Sequence, residues 1–174
     1  MAKDSVFAGE AWEGEPFRFN AAVADVFPDM LRRSIPGYEA SLEAIGSLAS
    51  RYVTAGSRCY DLGCSLGAAT LAMRQAIRMP GTRLIAVDNS EAMVSRCREI
   101  IEAETRARPD EPPVEVLLGD IRDTPVDDAS MVVLNYTLQF LDPADRDALL
   151  ARIAHGLRPG GLLVLGEKVV DEDP

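Results

Sequence analysis

Apolar residues along this chain follow two rhythms, and the change between them falls near Gly56. Before that point the spacing is helical. It runs through residues 19–38, "FNAAVADVFPDMLRRSIPGY", and 39–53, "EASLEAIGSLASRYV". In the second piece Leu42, Ile45, Leu48, Ala49 and Tyr52 recur at the offsets that place side chains on one helix face, which predicts an inward stripe. Pro28 and Pro36 break the first piece into short turns, because proline lacks the N–H a helix interior needs. The first 20 residues have weak periodicity and are expected to be partly mobile.

After Gly56 short apolar runs alternate with amphipathic stretches. Strands are predicted at 57–63 ("SRCYDLG"), 82–90 ("TRLIAVDNS"), 113–120 ("PVEVLLGD"), 129–137 ("ASMVVLNYT") and 160–168 ("GGLLVLGEK"). Helices are predicted at 65–79, at 90–107 with Ser90 as N-cap, and at 142–157, ending at Gly156. Met93, Cys97 and Ile100 form the inward stripe of the second helix, and Leu149, Leu150, Ile153 and Leu157 that of the third. The three prolines of "ETRARPDEPPVE", residues 104–115, end a helix and make a loop. Such alternation implies an α/β fold with a doubly wound, mostly parallel, Rossmann-like sheet and N-terminal helices. Residues 1–55 read as a helical segment of the same domain, and residues 56–174 as the α/β core.

With 174 residues, 47% of them hydrophobic, the chain can bury one substantial core. No apolar run reaches the 18 residues of a membrane-spanning helix, and the first residues lack a secretory pattern. Three cysteines, Cys59, Cys64 and Cys97, lack zinc-site spacing. They read as buried reduced thiols of a cytoplasmic protein, and no metal is expected. A net charge of −10 repels a phosphate backbone, which disfavours direct nucleic-acid binding. The short basic clusters at 31–34 and 95–99 read as solvated helix faces. The balance points to a small-molecule ligand.

The candidate chemistry centres on "YDLGCSLGAAT", residues 60–70. Gly63 to Gly67 satisfies G-x-S-x-G, in which a sharp turn exposes a nucleophilic serine, here Ser65. The same residues, with Asp61 in front, also fit the Gly-rich strand-to-helix turn of a nucleoside-binding sheet. A hydrolase needs an acid and then a histidine after the serine. The single histidine, His155, sits near the end of a predicted helix, and no segment resembles an oxyanion loop. The nucleoside reading uses residues at successive strand ends, where open parallel sheets bind ligands. Asp88, 21 residues after Gly67, and Asn89 stand where ribose hydroxyls can be met. Asp120 and Ile121 can meet an adenine edge, and Asn135 and Tyr136 follow the fourth strand. Asp61 reads as a structural acid near the turn rather than a base.

"YDLGCSLGAATL", "VDNS", "GDIRD", "ASMVVLN" and "GLRPGG" resemble the class I S-adenosylmethionine-dependent methyltransferases. "VFPDMLRRSIPGY", "DLGCSLGAAT" and "NYTLQFL" resemble more specifically the carboxy-S-adenosyl-L-methionine synthase family, over residues 23–168. The resemblance implies a cytoplasmic homodimeric transferase that takes S-adenosyl-L-methionine and prephenate and yields carboxy-S-adenosyl-L-methionine and phenylpyruvate. It implies that the sulfonium methyl loses a proton and the ylide captures CO2 released from prephenate. A tRNA carboxymethyltransferase then uses the product on a wobble uridine, so this chain need not touch tRNA.

Carried over, the ligand contacts fall on Tyr38, Gly63, Cys64, Ser65, Asp88, Asn89, Asp120, Ile121 and Asn135. No catalytic residue can be named. Family members continue beyond the fifth strand with further strands and an arginine for the added carboxylate, and nothing here matches that segment. The sequence therefore also admits an ordinary small-molecule methyltransferase, or a shortened module that binds S-adenosyl-L-methionine without chemistry.

Overall fold

The structure, a computed structural model, describes Phe27 and residues 30–168. The expectation for the first 20 residues lies outside that range, as does the start of the N-terminal helical pattern.

Five strands form one sheet: β1 (Arg58–Leu62), β2 (Arg83–Asp88), β3 (Val114–Leu118), β4 (Ala129–Asn135) and β5 (Leu157–Gly166). Their order is β3-β2-β1-β4-β5, and every neighbouring pair is parallel. Among the described residues, the helices that accompany them include α1 (Tyr38–Tyr52), α2 (Ala68–Ala76), α3 (Glu91–Ala107) and α4 (Pro143–Gly156). The chain builds β1, β2 and β3 outward in one direction, then returns to place β4 on the other side of β1. Strand order therefore reverses between β1 and β4. At the carboxyl ends of those two strands a crevice must open, because their following segments leave in opposite directions.

The strands alternate two kinds of apolar side chain between two buried faces. On one face Cys59, Leu84, Met131 and Val133 pack with Ile45 and Ala49 of α1 and Met73 of α2. On the other, Tyr60, Leu62, Val132 and Leu134 pack with Leu149 and Ile153 of α4. All seven residues of β4 except Asn135 are buried, which fits a central strand with both faces covered. Among the described residues no helix is long and apolar enough to cross a membrane.

Several sequence expectations shift. Tyr52 is 48% exposed instead of inward. The stripe of α1 runs through Ile45 and Ala49 and passes to Val53, the first extended residue, so the helix ends before Tyr52 can turn in. In α3 the fully buried position is Ile101, while Ile100 is only half-buried against the small cluster of Phe27, Leu66 and Met93. Helix α2 begins at Ala68 rather than at residue 65, because Ser65 and Gly67 both have left-handed backbones. Strand β5 starts at Leu157, directly after α4, and absorbs residues 158–161 as an irregularity in its pairing with β4.

One buried charge had no sequence signal. Arg74 on α2 is fully buried and donates to the carbonyls of Arg108 and Pro112 and to Glu111 Oε2, at 2.8, 3.0 and 2.9 Å. It ties the loop after α3 to α2, with each of its three guanidinium nitrogens paired.

Candidate functional site

The crevice is a cleft of about 730 Å³ at the carboxyl edge of the sheet, lined by all nine residues expected at the ligand site. Its floor is the turn that follows β1. Gly63 has φ +83°, and a Cβ there would meet the Thr137 side chain at 2.3 Å. Only glycine therefore allows the β1 turn and the segment after β4 to close on each other. The N–H groups of Gly63 and Cys64 both donate to the Val87 carbonyl, at 2.8 and 2.9 Å, which anchors the turn to β2.

Two acids organise the floor. Asp61 is buried, and its Oδ2 accepts from Thr70 N at 2.9 Å and Thr70 Oγ1 at 2.5 Å, so it pins the first turn of α2. Burial raises its pKa to about 6, against the pull of the Thr70 donors. Asp61 is thus the structural acid the sequence suggested. Asp88 ends β2; its Oδ2 accepts from Ser65 N and its Oδ1 from Ser90 N, both at 2.9 Å. Desolvation pushes Asp88 upward too, opposed by those backbone donors. Each oxygen keeps a further lone pair for a ligand hydroxyl. Ser90 in turn caps α3, accepting from Met93 N at 3.3 Å.

The walls come from more distant segments. Tyr38, the first residue of α1, is neutral at ordinary pH: burial pushes its phenol up to about 12, and the nearby Asp61 and Tyr136 add to the rise. Its ring lies 6.2 Å from that of Tyr136, tilted by 38°. Cys64 touches Cys97 of α3; that thiol hydrogen bond, with burial, drives the Cys64 pKa up and leaves it an inert, protonated thiol. At the far end Arg122 donates to both carboxylate oxygens of Asp120, at 2.6 and 3.1 Å, and to Asp145 at 3.0 Å. The guanidinium holds Asp120 below the usual carboxylate range. Ile121 is buried, and its carbonyl accepts from Arg152 at 2.8 Å.

The serine-nucleophile geometry does not form. His155 is exposed in the last turn of α4. That helix runs back against the strands, so its end lies at the amino edge of the sheet, opposite Ser65. The left-handed conformation of Ser65, φ 48°, serves to offer its N–H to Asp88.

Sequence reasoning placed Tyr136 at the end of the fourth strand without giving it a ligand contact, and it left Thr137 and Arg122 out of the site. Tyr136 has φ 59°, and its N–H donates to Gly166 O at 2.7 Å. The only available signal was position, immediately after a strand that borders the crossover. Arg122 stands two residues beyond Asp120, a spacing that permits a local ion pair without requiring one.

A methyltransferase-domain family model matches residues 60–161. The chain is 54% identical over 170 residues to the carboxy-S-adenosyl-L-methionine synthase of Aliivibrio fischeri (strain MJ11), covering 98% of this chain and 69% of that protein. It is 51% identical over 173 residues to the enzyme of the same name from Pasteurella multocida (strain Pm70), covering 99% and 70%. Among solved structures, a SAM-dependent methyltransferase from Aquifex aeolicus superposes with TM-score 0.59 at 16% identity, over 90% of this chain and 79% of that one. SAM-bound CalS10, an amino pentose methyltransferase from Micromonospora echinaspora, superposes with TM-score 0.56 at 23% identity, over 92% and 61%. At those identities the structural likeness speaks for the fold alone.

Proposed function

The chain belongs to the carboxy-S-adenosyl-L-methionine synthase family, within the methyltransferase-domain fold, and on that premise we propose that it converts S-adenosyl-L-methionine and prephenate to carboxy-S-adenosyl-L-methionine and phenylpyruvate. The observation that supports this best is the convergence of the Asp61–Gly67 turn, Asp88 and the Asn135–Thr137 segment on one cleft at the strand-order reversal.

In this reading Asp88 and Asn89 meet the ribose hydroxyls. Asp120 and Ile121 take the adenine end, with Arg122 holding the Asp120 carboxylate in place. Gly63, Cys64, Ser65 and Asn135 line the path of the amino-acid end, and Tyr38 covers it. The donors Asp61 and Asp88 accept from Thr70, Ser65 and Ser90 are all the protein's own. With Asp61 engaged by Thr70 and Asp88 assigned to the ribose hydroxyls, neither is given the role of base for the methyl proton in this reading. In the proposed chemistry prephenate loses CO2 and hydroxide as it aromatises. The hydroxide takes the proton from the sulfonium methyl, and CO2 joins the carbon left behind, so the balance closes with one water. The product would pass to a separate tRNA carboxymethyltransferase, which fits the −10 charge of this chain, and the enzyme would act as a cytoplasmic homodimer.

Mass spectrometry of nucleoside recovered from incubation with S-adenosyl-L-methionine, with and without prephenate, tests the proposal. The expected result is a species heavier by one carboxyl group that appears only with prephenate. Formation of S-adenosylhomocysteine with an acceptor and no dependence on prephenate would instead make the protein an ordinary methyltransferase. Binding without any product would make it a module without activity.

A further inference from the structure

Among the described residues, Tyr136 is one of three non-glycine residues with a left-handed backbone, and with Ser65 it is one of two that line the cleft. An aromatic residue is costly in that conformation, and such outliers persist where the surroundings hold them for a purpose. Here the backbone is fixed by the Tyr136 N–H to Gly166 O bond and by Thr137 pressed against Gly63. The result aims the Tyr136 ring into the cleft, 6.2 Å from the Tyr38 ring and tilted by 38°, so the two rings form a corner rather than a stack. Asp61 lies close enough to Tyr38 to act on its hydroxyl electrostatically.

A sulfonium poses a particular recognition problem. It carries a full positive charge but no N–H or O–H, so it cannot be bound by donating hydrogen bonds. Of the buried acids of the floor, Asp61 is engaged by Thr70 at the start of α2 and Asp88 is assigned to the ribose hydroxyls. A group that attracts positive charge without needing a donor is the face of an aromatic ring.

We propose that Tyr136 is a specificity-determining residue whose ring, cornered with that of Tyr38, recognises the positively charged sulfur of the ligand and discriminates sulfonium from neutral thioether. This rests on the adenosylmethionine reading of the cleft. It also gives the enzyme a way to favour its charged substrate over S-adenosylhomocysteine, which shares every other group except the methyl.

Calorimetric titration of S-adenosyl-L-methionine and of S-adenosylhomocysteine into the purified chain tests it through the ratio of the two affinities. Tyr136→Phe keeps the ring and should hold the ratio within about twofold. Tyr136→Leu removes the ring and should lower the ratio about fivefold or more, while changing S-adenosylhomocysteine affinity less. Tyr136→Asn should do the same, and asparagine tolerates the left-handed backbone, so its fold is secure even where leucine strains. Equal loss of both ligands in the Leu and Asn variants, or an unchanged ratio, would overturn the proposal and leave the cleft assignment standing. Failure of the unmodified protein to bind either ligand would overturn the cleft assignment itself, and this inference with it.

Discussion

The two ends of the sheet carry the same residue type in opposite circumstances. At the carboxyl end Asp61 and Asp88 are buried, held by backbone and threonine donors, and raised above the ordinary carboxylate range chiefly by desolvation. At the amino end Asp127 and Asp128 are exposed. Each is held by an arginine, Arg58 and Arg158, and each is lowered by that partner. Arg158 also donates to Thr54 Oγ1 and to the carbonyls of Ala55 and Gly56, so it laces the loop before β1 to the start of β5. One end is thus a surface staple and the other the floor of the cleft. The contrast shows what a neutral partner leaves behind: backbone donors hold Asp88 without a counter-ion on its remaining lone pairs, whereas Arg58 and Arg158 occupy the carboxylates at the amino end.

Removing the buried acid nearest the core should break the comparison most severely. Asp61→Ala strands two buried donors of Thr70 and should cost about 3 kcal/mol of folding stability, read by urea denaturation. Loss of less than a third of that would mean the carboxylate is not the anchor of α2. Next in size, Asp88→Ala removes an ionised acceptor and should weaken S-adenosyl-L-methionine binding by about 1.5 to 3 kcal/mol in calorimetry. Unchanged affinity would refute the ribose role.

The pH dependence of stability sharpens the contrast further. Burial favours protonated Asp61, whose folded pKa of about 6 lies above the ordinary value. Its contribution is therefore fully present below pH of about 4 and is lost as the pH rises through 6. Asp88, raised for the same reason, acts in the same direction. Asp127 and Asp128 act oppositely, contributing at neutral pH and losing that contribution on acidification. Asp61→Asn should flatten the decline of melting temperature between pH 4 and 6, and an unaltered slope would show that another group sets it. The smallest effect is expected at the exposed end. Arg58→Ala should cost at most about 1 kcal/mol at low ionic strength, and the loss should shrink as salt is added.

The fold was largely legible because its signals are local. The alternation of Cys59, Tyr60 and Leu62, the Ser90 cap and the prolines after α3 each declare themselves within a few residues. The lining of the cleft was legible where it follows strand ends in order, as with Asp88, Asp120 and Asn135. It was not legible where a side chain's fate depends on a partner far along the chain. Arg74 looks like any surface arginine of a helix until the loop carrying Glu111 and Pro112 folds over it. Tyr52 and Ile100 fit their helical stripes by spacing alone, and only the end of α1 and the packing of α3 moved burial to Val53 and Ile101.

The stretch from Tyr60 to Thr70 holds both outcomes. By itself the sequence determined a parallel α/β sheet with a Gly-rich turn after its first strand, because strand and helix periodicity and the demand for glycine are properties of neighbouring residues. Only the tertiary structure decided what the turn faces. The crossover set Thr137 against Gly63 and Tyr136 over the cleft, and it left His155 at the opposite edge of the sheet. Which segments meet across a sheet depends on strand order, and no spacing along the chain encodes strand order by itself.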